Sequence, residues 1–344
     1  MIKFRGLRLV SGALIVVMVL GGANGSSTGF SAFWEGASYV SCSYLGGGSH
    51  LSISCSDPAV ETDIIDRMLT PAQARAAGCD PITITRASDD WEADGGEADD
   101  AVVMPQMVAT GEPEATYAPR TPDPAVTARV ARSWDRIERW LGAHASATLR
   151  KLGDPAKPED LAQWEATRGR RLPDALYASF RRHNGSPGSN LGLQAPPAYD
   201  LLDLYSIDSA LWRRCQELIL WSDARDADAE NGRWHGSLVP FADSIEGRNL
   251  FIDPRTGRVG QASWLSRVNY GEPMGWPSYA DLLEGLADAL ERGGPLRGWY
   301  PVVTAGCELG WARNPGGPQR GGCAGGPPPT PSPTPAAPSH RRWS

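Results

Sequence analysis

Apolar residues recur at intervals of three and four along several stretches of the chain, which is the pattern of helices that bury one face. The first stretch begins at Asp123-Pro124, an N-cap residue followed by proline at the first helical position. Its apolar stripe consists of Val126, Val130, Trp134, Ile137 and Leu141. The pattern therefore predicts a helix of about four turns that starts at residue 124.

Four more segments carry the same periodicity together with helix start and stop signals. They are 159–168, which Gly169 ends; 173–183, which Asn184-Gly185 ends; 207–221, with Ser206 as N-cap; and 279–292, with Ser278 as N-cap and Gly293 after it. Glycine and asparagine end helices because they tolerate the left-handed backbone conformation. Together these segments predict a largely helical domain over residues 123–293.

A meander of three short strands is predicted between these helices. Residues 238–242, 249–253 and 258–261 are short runs bounded by turn residues, as strands are. Gly247 lies in the first connection, and Pro254-Arg255-Thr256-Gly257 forms the second. The meander gives the helices a small antiparallel sheet to pack on, so the predicted fold class is α+β.

The first 25 residues have the pattern of a secretory signal peptide. Three basic residues precede an apolar run at 9–20, and Ala23-Asn24-Gly25 is a small-residue cleavage pattern. A cleaved signal implies a secreted protein, and an uncleaved one implies membrane contact through this segment. The alternative is a downstream start near Met104 or Met107, which implies a cytoplasmic protein.

The rest of the amino-terminal third is expected to be irregular. Residues 26–85 form a small cysteine-containing region, with short strands predicted near 39–40, 51–53 and 82–84 and a helix at 71–77 that ends at Gly78. Cys42 and Cys55 are spaced to close a small loop, although six cysteines allow many pairings. The acidic, proline-containing stretch 86–122 is a predicted linker, and the Gly/Pro-rich stretch 294–344 is a predicted disordered tail.

Charge and motifs narrow the classes of function. The net charge is −7, and no basic cluster is interleaved with aromatic residues, which argues against nucleic-acid binding. His183 and His235 have no partner at metal-ligand spacing, and no Walker loop, Cys-x-x-Cys pair or dinucleotide fingerprint occurs. We therefore expect neither a metal nor a small-molecule cofactor. A Gly-x-Ser-x-Gly match at 25–29 lacks the flanking strand and helix of a nucleophile elbow, so a hydrolase is a minor alternative.

Six short motifs follow one another over about 155 residues. They are Trp134-x-x-Ile137-Glu138-x-x-Leu141, Leu161-x-x-Trp164-Glu165-x-x-x-Gly169-x-x-Leu172-Pro173-x-x-Leu176, His183-Asn184-Gly185, Asp203-Leu204-Tyr205-Ser206-Ile207, Val239-Pro240-Phe241-Ala242-Asp243 with Gly247, Leu250 and Asp253, and Pro277-Ser278-Tyr279. In order and spacing, residues of about 130–291 resemble the SUKH superfamily, the group around the Smi/Knr-type fungal cell-wall assembly regulators. The resemblance implies a protein-binding α+β domain that is not known for catalysis. Many bacterial relatives look like immunity proteins, which cover the active site of a cognate toxin.

Six residues are candidate binding residues: Glu165, Asn184, Asp243, Gly247, Asp253 and Trp264. Glu165 is either a salt-bridge or capping partner or part of a binding groove. Asp243 and Asp253 are either turn residues or an acid/base pair that faces a common pocket. Trp264 lies in a loop and belongs either to an interface or to side-chain packing. His183 at a helix C-terminus and Cys215 on an apolar helix face are interpreted as structural residues.

Two functions from different classes follow. The first is a non-enzymatic module that binds a protein partner, most plausibly a toxin domain, with acidic side chains at Asp223, Asp226, Asp228 and Glu230 steering a basic partner. The second is an exported or membrane-linked scaffold or regulator of the cell envelope.

Overall fold

The computed structural model describes residues 50–86, 118–186, 192–221, 224–263, 266–314 and 323, together with the backbone of strands at 14–19, 27–34 and 40–45. The helices are α1 (Pro58–Arg67), α2 (Pro71–Ala76), α3 (Pro124–His144), α4 (Ser146–Arg150), α5 (Pro158–Thr167), α6 (Asp174–Phe180), α7 (Leu204–Trp221) and α8 (Tyr279–Arg292). The strands are β1 (Leu14–Val19), β2 (Ser27–Trp34), β3 (Val40–Leu45), β4 (His50–Cys55), β5 (Thr83–Arg86), β6 (Gln194–Ala195), β7 (Tyr199–Leu201), β8 (Val239–Asp243), β9 (Asn249–Ile252), β10 (Val259–Ala262), β11 (Tyr300–Val303) and β12 (Leu309–Ala312). Helices combined with small antiparallel sheets confirm the predicted α+β class.

The chain divides into two compact units, and both are discontinuous in sequence. The first consists of residues 1–120, 158–173 and 204–278, and the second of residues 121–157, 174–203 and 279–344. Residues of the predicted 123–293 domain therefore contribute to both units. None of the helices within the described residues is both long and apolar enough to cross a bilayer.

The predicted meander is part of the first unit. Strand β8 pairs with β9 and β9 pairs with β10, both antiparallel, with Val239 opposite Ile252 and Asp243 opposite Asn249. The register shifts between Pro240 and Ala242, where a proline cannot donate to the ladder. All four residues of β9 are buried. Helix α7 packs against β8, so the meander does serve as a sheet for a helix.

The amino-terminal part of the first unit is more regular than expected. Strands β1 to β4 form an antiparallel series, and β5 joins β4 in parallel. Strand β1 lies in the predicted signal segment and pairs with β2. The expected helix at 71–77 is confirmed as α2, followed by Gly78 at φ +70°. Helix α1 was not predicted, although Asp57-Pro58 is the same start signal as Asp123-Pro124. The reason is that α1 fully buries none of its residues and so lacks a strong apolar stripe.

The second unit is built around α3, which packs against α8 and α6. Four of the five residues of its predicted stripe, Val130, Trp134, Ile137 and Leu141, are at most 1% exposed, whereas Val126 is only partly buried. The helix has 21 residues and is longer than the four turns predicted. The Asp123 carboxylate accepts a hydrogen bond from the Val126 amide at 2.9 Å, which confirms the predicted cap. Because both the stripe and the cap are local signals, the sequence sufficed to locate this helix.

Two predictions of irregular structure differ from what forms. Ser206 was predicted to be the N-cap of a helix over 207–221, which leaves residues 204–206 outside it, but α7 already begins at Leu204. The tail from residue 294 contains an antiparallel hairpin of β11 and β12, in which Tyr300 lies opposite Ala312. A turn closes it, with the Thr304 amide bonded to the Glu308 carbonyl at 2.9 Å. Strands this short carry too few residues for a period-two pattern to stand out. The predicted linker falls mostly on 87–117, which lies outside the described residues.

Candidate functional site

Asp243 and Asp253 lie at opposite ends of strand β9. Asp243 pairs with Asn249 at its start, whereas Asp253 follows Ile252 at its end. Four strand residues separate the two ends, a distance of about 13 Å at the rise of an extended chain. The register of the hairpin therefore holds the two carboxylates apart, which argues against an acid/base pair in a common pocket.

The carboxylate of Asp253 holds the connection between β9 and β10. Its Oδ1 accepts from the backbone amide and from Nε of Arg255, both at 3.0 Å, and its Oδ2 accepts from Nη2 at 2.8 Å. Burial raises the pKa of Asp253, but the hydrogen bonds from Arg255 outweigh it, so the pKa lies below its usual value. Asp253 is 0% exposed. Its contacts are those of a turn residue, which was one of the two interpretations given for it.

Asp243 stands at the base of the β8–β9 turn. Its Oδ2 accepts from Nη2 of Arg213 at 2.7 Å. Its Oδ1 is buried and has no hydrogen-bond partner among the residues that the structure describes. A buried carboxylate oxygen without a donor is costly, so this residue is incompletely satisfied by its own unit.

Residues 243–248 form the turn between β8 and β9, the hairpin tip. Its backbone is held by bonds from the Ser244 amide to the Arg248 carbonyl at 2.9 Å and from the Gly247 amide to the Ser244 carbonyl at 2.8 Å. Gly247 has φ +70°, a conformation that glycine adopts without steric cost. The side chain of Ile245 is left 88% exposed. The tip is thus a fixed turn that presents an apolar side chain to solvent.

A buried arginine supports the hairpin tip from the inside. Arg214 is 2% exposed and donates from Nε to Oδ1 of Asn249 at 2.8 Å and from Nη1 to Glu217 at 2.8 Å. Its Nη2 donates to the carbonyl oxygen of Gly247. The sequence reasoning missed Arg214, although it lies three residues after Leu211 and four before Leu218, on the apolar face of the predicted helix.

A solvent-open cavity lies beside this network. Its volume is about 10 Å³, and its lining includes Arg214, Glu217, Trp234 and Ser263. Burial raises the pKa of Glu217, and Arg214 only partly opposes this effect. A cavity of this volume holds about one water molecule and is far too small for a small-molecule ligand. The polar groups here are thus better explained as support for the turn than as a ligand pocket.

Glu165 is a buried residue that fixes a chain segment. It is 0% exposed, and its Oε1 accepts from Nε of Arg120 at 3.1 Å and from the Leu172 amide at 2.9 Å. Arg120 also donates from Nη2 to the Leu172 carbonyl at 2.6 Å. This arrangement corresponds to the salt-bridge and capping alternative, and it leaves little of the carboxylate facing solvent.

Asn184 and Trp264 complete the set of predicted residues. The Asn184 amide donates to the Asp154 carbonyl at 3.1 Å, next to Gly185 at φ +65°. A Cβ on Gly185 would lie 2.4 Å from the Asp203 nitrogen, so the Asn-Gly pair also permits a close backbone approach. Trp264 lies outside the described residues, and so does Asp223.

The acidic loop is largely neutralised by arginines of its own unit. Asp226 lies 3.4 Å from Arg233, and Glu230 lies 2.9 Å from Arg258. Asp228 is exposed and accepts the Glu230 amide at 2.8 Å. Ion-paired carboxylates produce a weaker external field than free ones. The steering role predicted for these side chains stays a prediction, with Asp228 as its strongest member.

The histidines make structural contacts. His183 Nε2 lies 2.8 Å from Oε1 of Glu138, and its Nδ1 lies 3.1 Å from the Gly153 carbonyl oxygen. His235 Nδ1 lies 2.7 Å from Oγ of Ser237, two residues away within one turn. Burial lowers the pKa of His235, which favours the neutral ring. Within the residues that the structure describes, no group of three metal-ligating side chains converges.

The interpretation of Cys215 as a simple core residue needs correction. Cys215 forms a disulfide with Cys79 across 136 residues of sequence. An apolar helix face does not reveal a disulfide, because the partner lies in a region whose fold the sequence left open. Cys307 and Cys323 form a second disulfide in the second unit.

The meander, with its turns held by Asp253 and Arg214 and with helix α7 packed against β8, is part of an α+β fold. Residues 155–285 match the SMI1 / KNR4 family (SUKH-1), which confirms the predicted resemblance over that segment. The chain is also similar to F-box only protein 3 of Bos taurus and of Homo sapiens, with 31% identity over 87 residues. This match covers 24% of the chain and 19% and 18% of those relatives, so it spans only about a fifth of their length.

Proposed function

We propose that the chain is a non-enzymatic, immunity-like module that binds a partner protein, such as a toxin domain, through the hairpin tip. The SUKH-1 match over residues 155–285 supports a protein-binding role. The observation that carries the proposal is the hairpin tip itself, in which a turn held by its own hydrogen bonds exposes Ile245 to 88%.

The cost of building this turn is an argument for its use. Arg214 is buried, and it directs one of its donors to the Gly247 carbonyl in the tip. A buried charge is tolerated only when hydrogen bonds compensate for its lost hydration. An ordinary surface turn does not need such a group beneath it. A turn held in place loses little conformational entropy when it binds, so it is suited to recognition.

The partner proposed for this surface has an apolar pocket bordered by basic groups. Ile245 would enter the pocket, and Glu246 beside it is 62% exposed. The net charge of −7 would speed encounter with a basic protein.

The binding proposal is tested with the full chain as bait. Wild type, Ile245→Asp and Tyr205→Asp are compared in quantitative affinity capture from the source cells. Tyr205 is the matched control because it is also a large exposed apolar residue, at 80%, but lies on α7. We expect wild type and Tyr205→Asp to capture the same partner protein in similar amounts. Ile245→Asp should capture at least about tenfold less of it.

The immunity role is tested separately, by co-expressing the captured protein with each variant. We expect the captured protein alone to arrest growth, wild type to restore it, and Ile245→Asp to fail. Equal capture by all three baits would show that the hairpin tip is not the binding surface. A captured protein that is harmless when expressed alone would overturn the immunity role and leave protein binding in place.

A further inference from the structure

Residues 50–86 are fastened to the SUKH-type part of the first unit at several separate points. Cys79 is disulfide-bonded to Cys215 in the middle of α7. The Leu69 amide donates to the Ile219 carbonyl at 3.0 Å, one turn further along the same helix. These two contacts fix the segment along the carboxyl-terminal half of α7.

A second set of contacts lies around His235-Gly236. The Gly236 amide donates to the Ala77 carbonyl at 2.7 Å. A Cβ on Gly236 would lie 1.9 Å from the Gly78 carbonyl oxygen, so the two backbones meet without room for a side chain. Asp80 pairs with Arg168 at 3.0 Å. The fit is therefore specific in shape as well as in polarity.

The apolar content of this contact is small. Ile53, Met68 and Leu220 form its buried centre, with Val60, Ile64, Ile65 and Trp221 among the partly buried side chains around them. Helix α1 has no fully buried residue. Leu69, Ala74, Ala77 and Cys79 are the other buried apolar side chains in the described part of this segment. A core of this size is weak by itself, so a covalent link has a large effect on whether the segment stays docked.

We infer that the Cys79–Cys215 disulfide is a redox lock that decides, as the chain folds, whether residues 50–86 dock on α7 or leave that helix face uncovered. A crosslink that closes a loop this long favours the docked state by on the order of a thousandfold in a chain-entropy estimate. Under reducing conditions the remaining contacts hold the segment weakly, and Leu220 and Trp221 become accessible.

The lock closes by thiol–disulfide exchange with a small disulfide oxidant such as glutathione disulfide. The two cysteine thiols lose two protons and two electrons and form one S–S bond, while the oxidant's S–S bond breaks and yields two thiols. Cys79 is 3% and Cys215 is 9% exposed, so a reductant reaches the closed bond slowly. Cys307 and Cys323 are both partly exposed, and we expect a dithiol to reduce that pair first.

The inference is tested on the full chain by hydrogen exchange of the oxidised wild type, of a Cys79→Ser/Cys215→Ser variant and of a Cys307→Ser/Cys323→Ser control. We expect the first variant to exchange the Leu69 and Gly236 amides at least about a hundredfold faster than wild type. It should also bind more of a hydrophobic dye. The control variant should match the wild type at both amides, and amides of α8 should be unchanged in all three.

Peptide mapping under non-reducing conditions must recover the Cys79–Cys215 linkage from protein folded with glutathione disulfide. Its absence there would refute the lock. Unchanged exchange at Leu69 and Gly236 in the Cys79→Ser/Cys215→Ser variant would equally refute it, because the segment would then stay docked without the bond. Neither result bears on binding through Ile245, so this test and the affinity capture fail independently.

Discussion

Arg214 donates from Nε to Oδ1 of Asn249 at 2.8 Å, and both residues are buried. The bond joins helix α7 to the first residue of strand β9. Asn249 in turn donates from Nδ2 to the Ala242 carbonyl at 3.3 Å, so one buried guanidinium orients an amide that also holds the neighbouring strand. The helix and the hairpin are thereby fixed to each other by polar contacts as well as by packing.

Replacing Arg214 with methionine should lower the free energy of unfolding by about 3–5 kcal/mol, because Asn249 and Glu217 would lose a buried charged partner. Urea denaturation monitored by circular dichroism measures the change. Arg213→Met is the matched control, since Arg213 precedes it on the same helix and its side chain is 44% exposed. We expect the control to cost at most about 1 kcal/mol. Equal losses for the two variants would contradict a special role for Arg214.

Glu165→Gln separates the two interpretations of Glu165. The amide oxygen of glutamine can still accept from the Leu172 amide, but Arg120 loses its buried ionic partner. We expect a loss of about 2–4 kcal/mol in unfolding free energy with little effect on partner capture. Glu159→Gln, an exposed change on the same helix, should cost under about 1 kcal/mol. If capture weakens while stability is unchanged, Glu165 lines a groove after all.

The helices were predictable because their signals are local. The α8 stripe, its start after Ser278 and its end before Gly293 all lie within one short segment, and the helix runs from Tyr279 to Arg292. The turn residues Gly247 and Asp253 were recognisable for the same reason. Each is defined by the backbone angle or hydrogen bond of its own turn.

The long-range partners could not be predicted in the same way. Arg214 meets Asn249 across 35 residues, and Cys79 meets Cys215 across 136. Periodicity indicates that a face is buried, but it does not indicate what covers that face. The distance between Asp243 and Asp253 likewise depends on strand register. The spacing of the two residues in the sequence does not determine that distance.

Two glycines with left-handed angles should differ in their tolerance of a side chain. Gly247→Ala meets nothing within 4 Å and carries only the backbone cost of φ +70°, about 1–2 kcal/mol. Gly185→Ala adds a clash, with Cβ 2.4 Å from the Asp203 nitrogen, and should cost more than about 3 kcal/mol. Gly294→Ala, also in open space, is the control and should fall within about 0.5 kcal/mol of wild type. Chemical denaturation of the three variants tests this order, and a larger loss for Gly247→Ala than for Gly185→Ala would contradict it.

Glu138 should make the stability of the second unit depend on acid pH. Burial raises the pKa of Glu138, but hydrogen bonds from His183 and Arg182 outweigh burial and lower it to about 2. Because the folded pKa lies below the unfolded value of about 4.3, the stabilisation is fully present above that value and is lost as the pH falls towards 2. The gap in unfolding free energy between wild type and Glu138→Gln should therefore be about 2–3 kcal/mol near pH 6 and narrow steadily below about pH 4 in urea denaturation.

Glu284→Gln is the control, because the hydrogen bond from Arg129 also lowers the pKa of Glu284. The side chain of Glu284 is 41% exposed, so solvent should keep the gap in unfolding free energy between wild type and Glu284→Gln under about 1 kcal/mol. A gap for Glu138→Gln that stays constant from pH 6 to pH 3 would show that its ionisation is not coupled to folding.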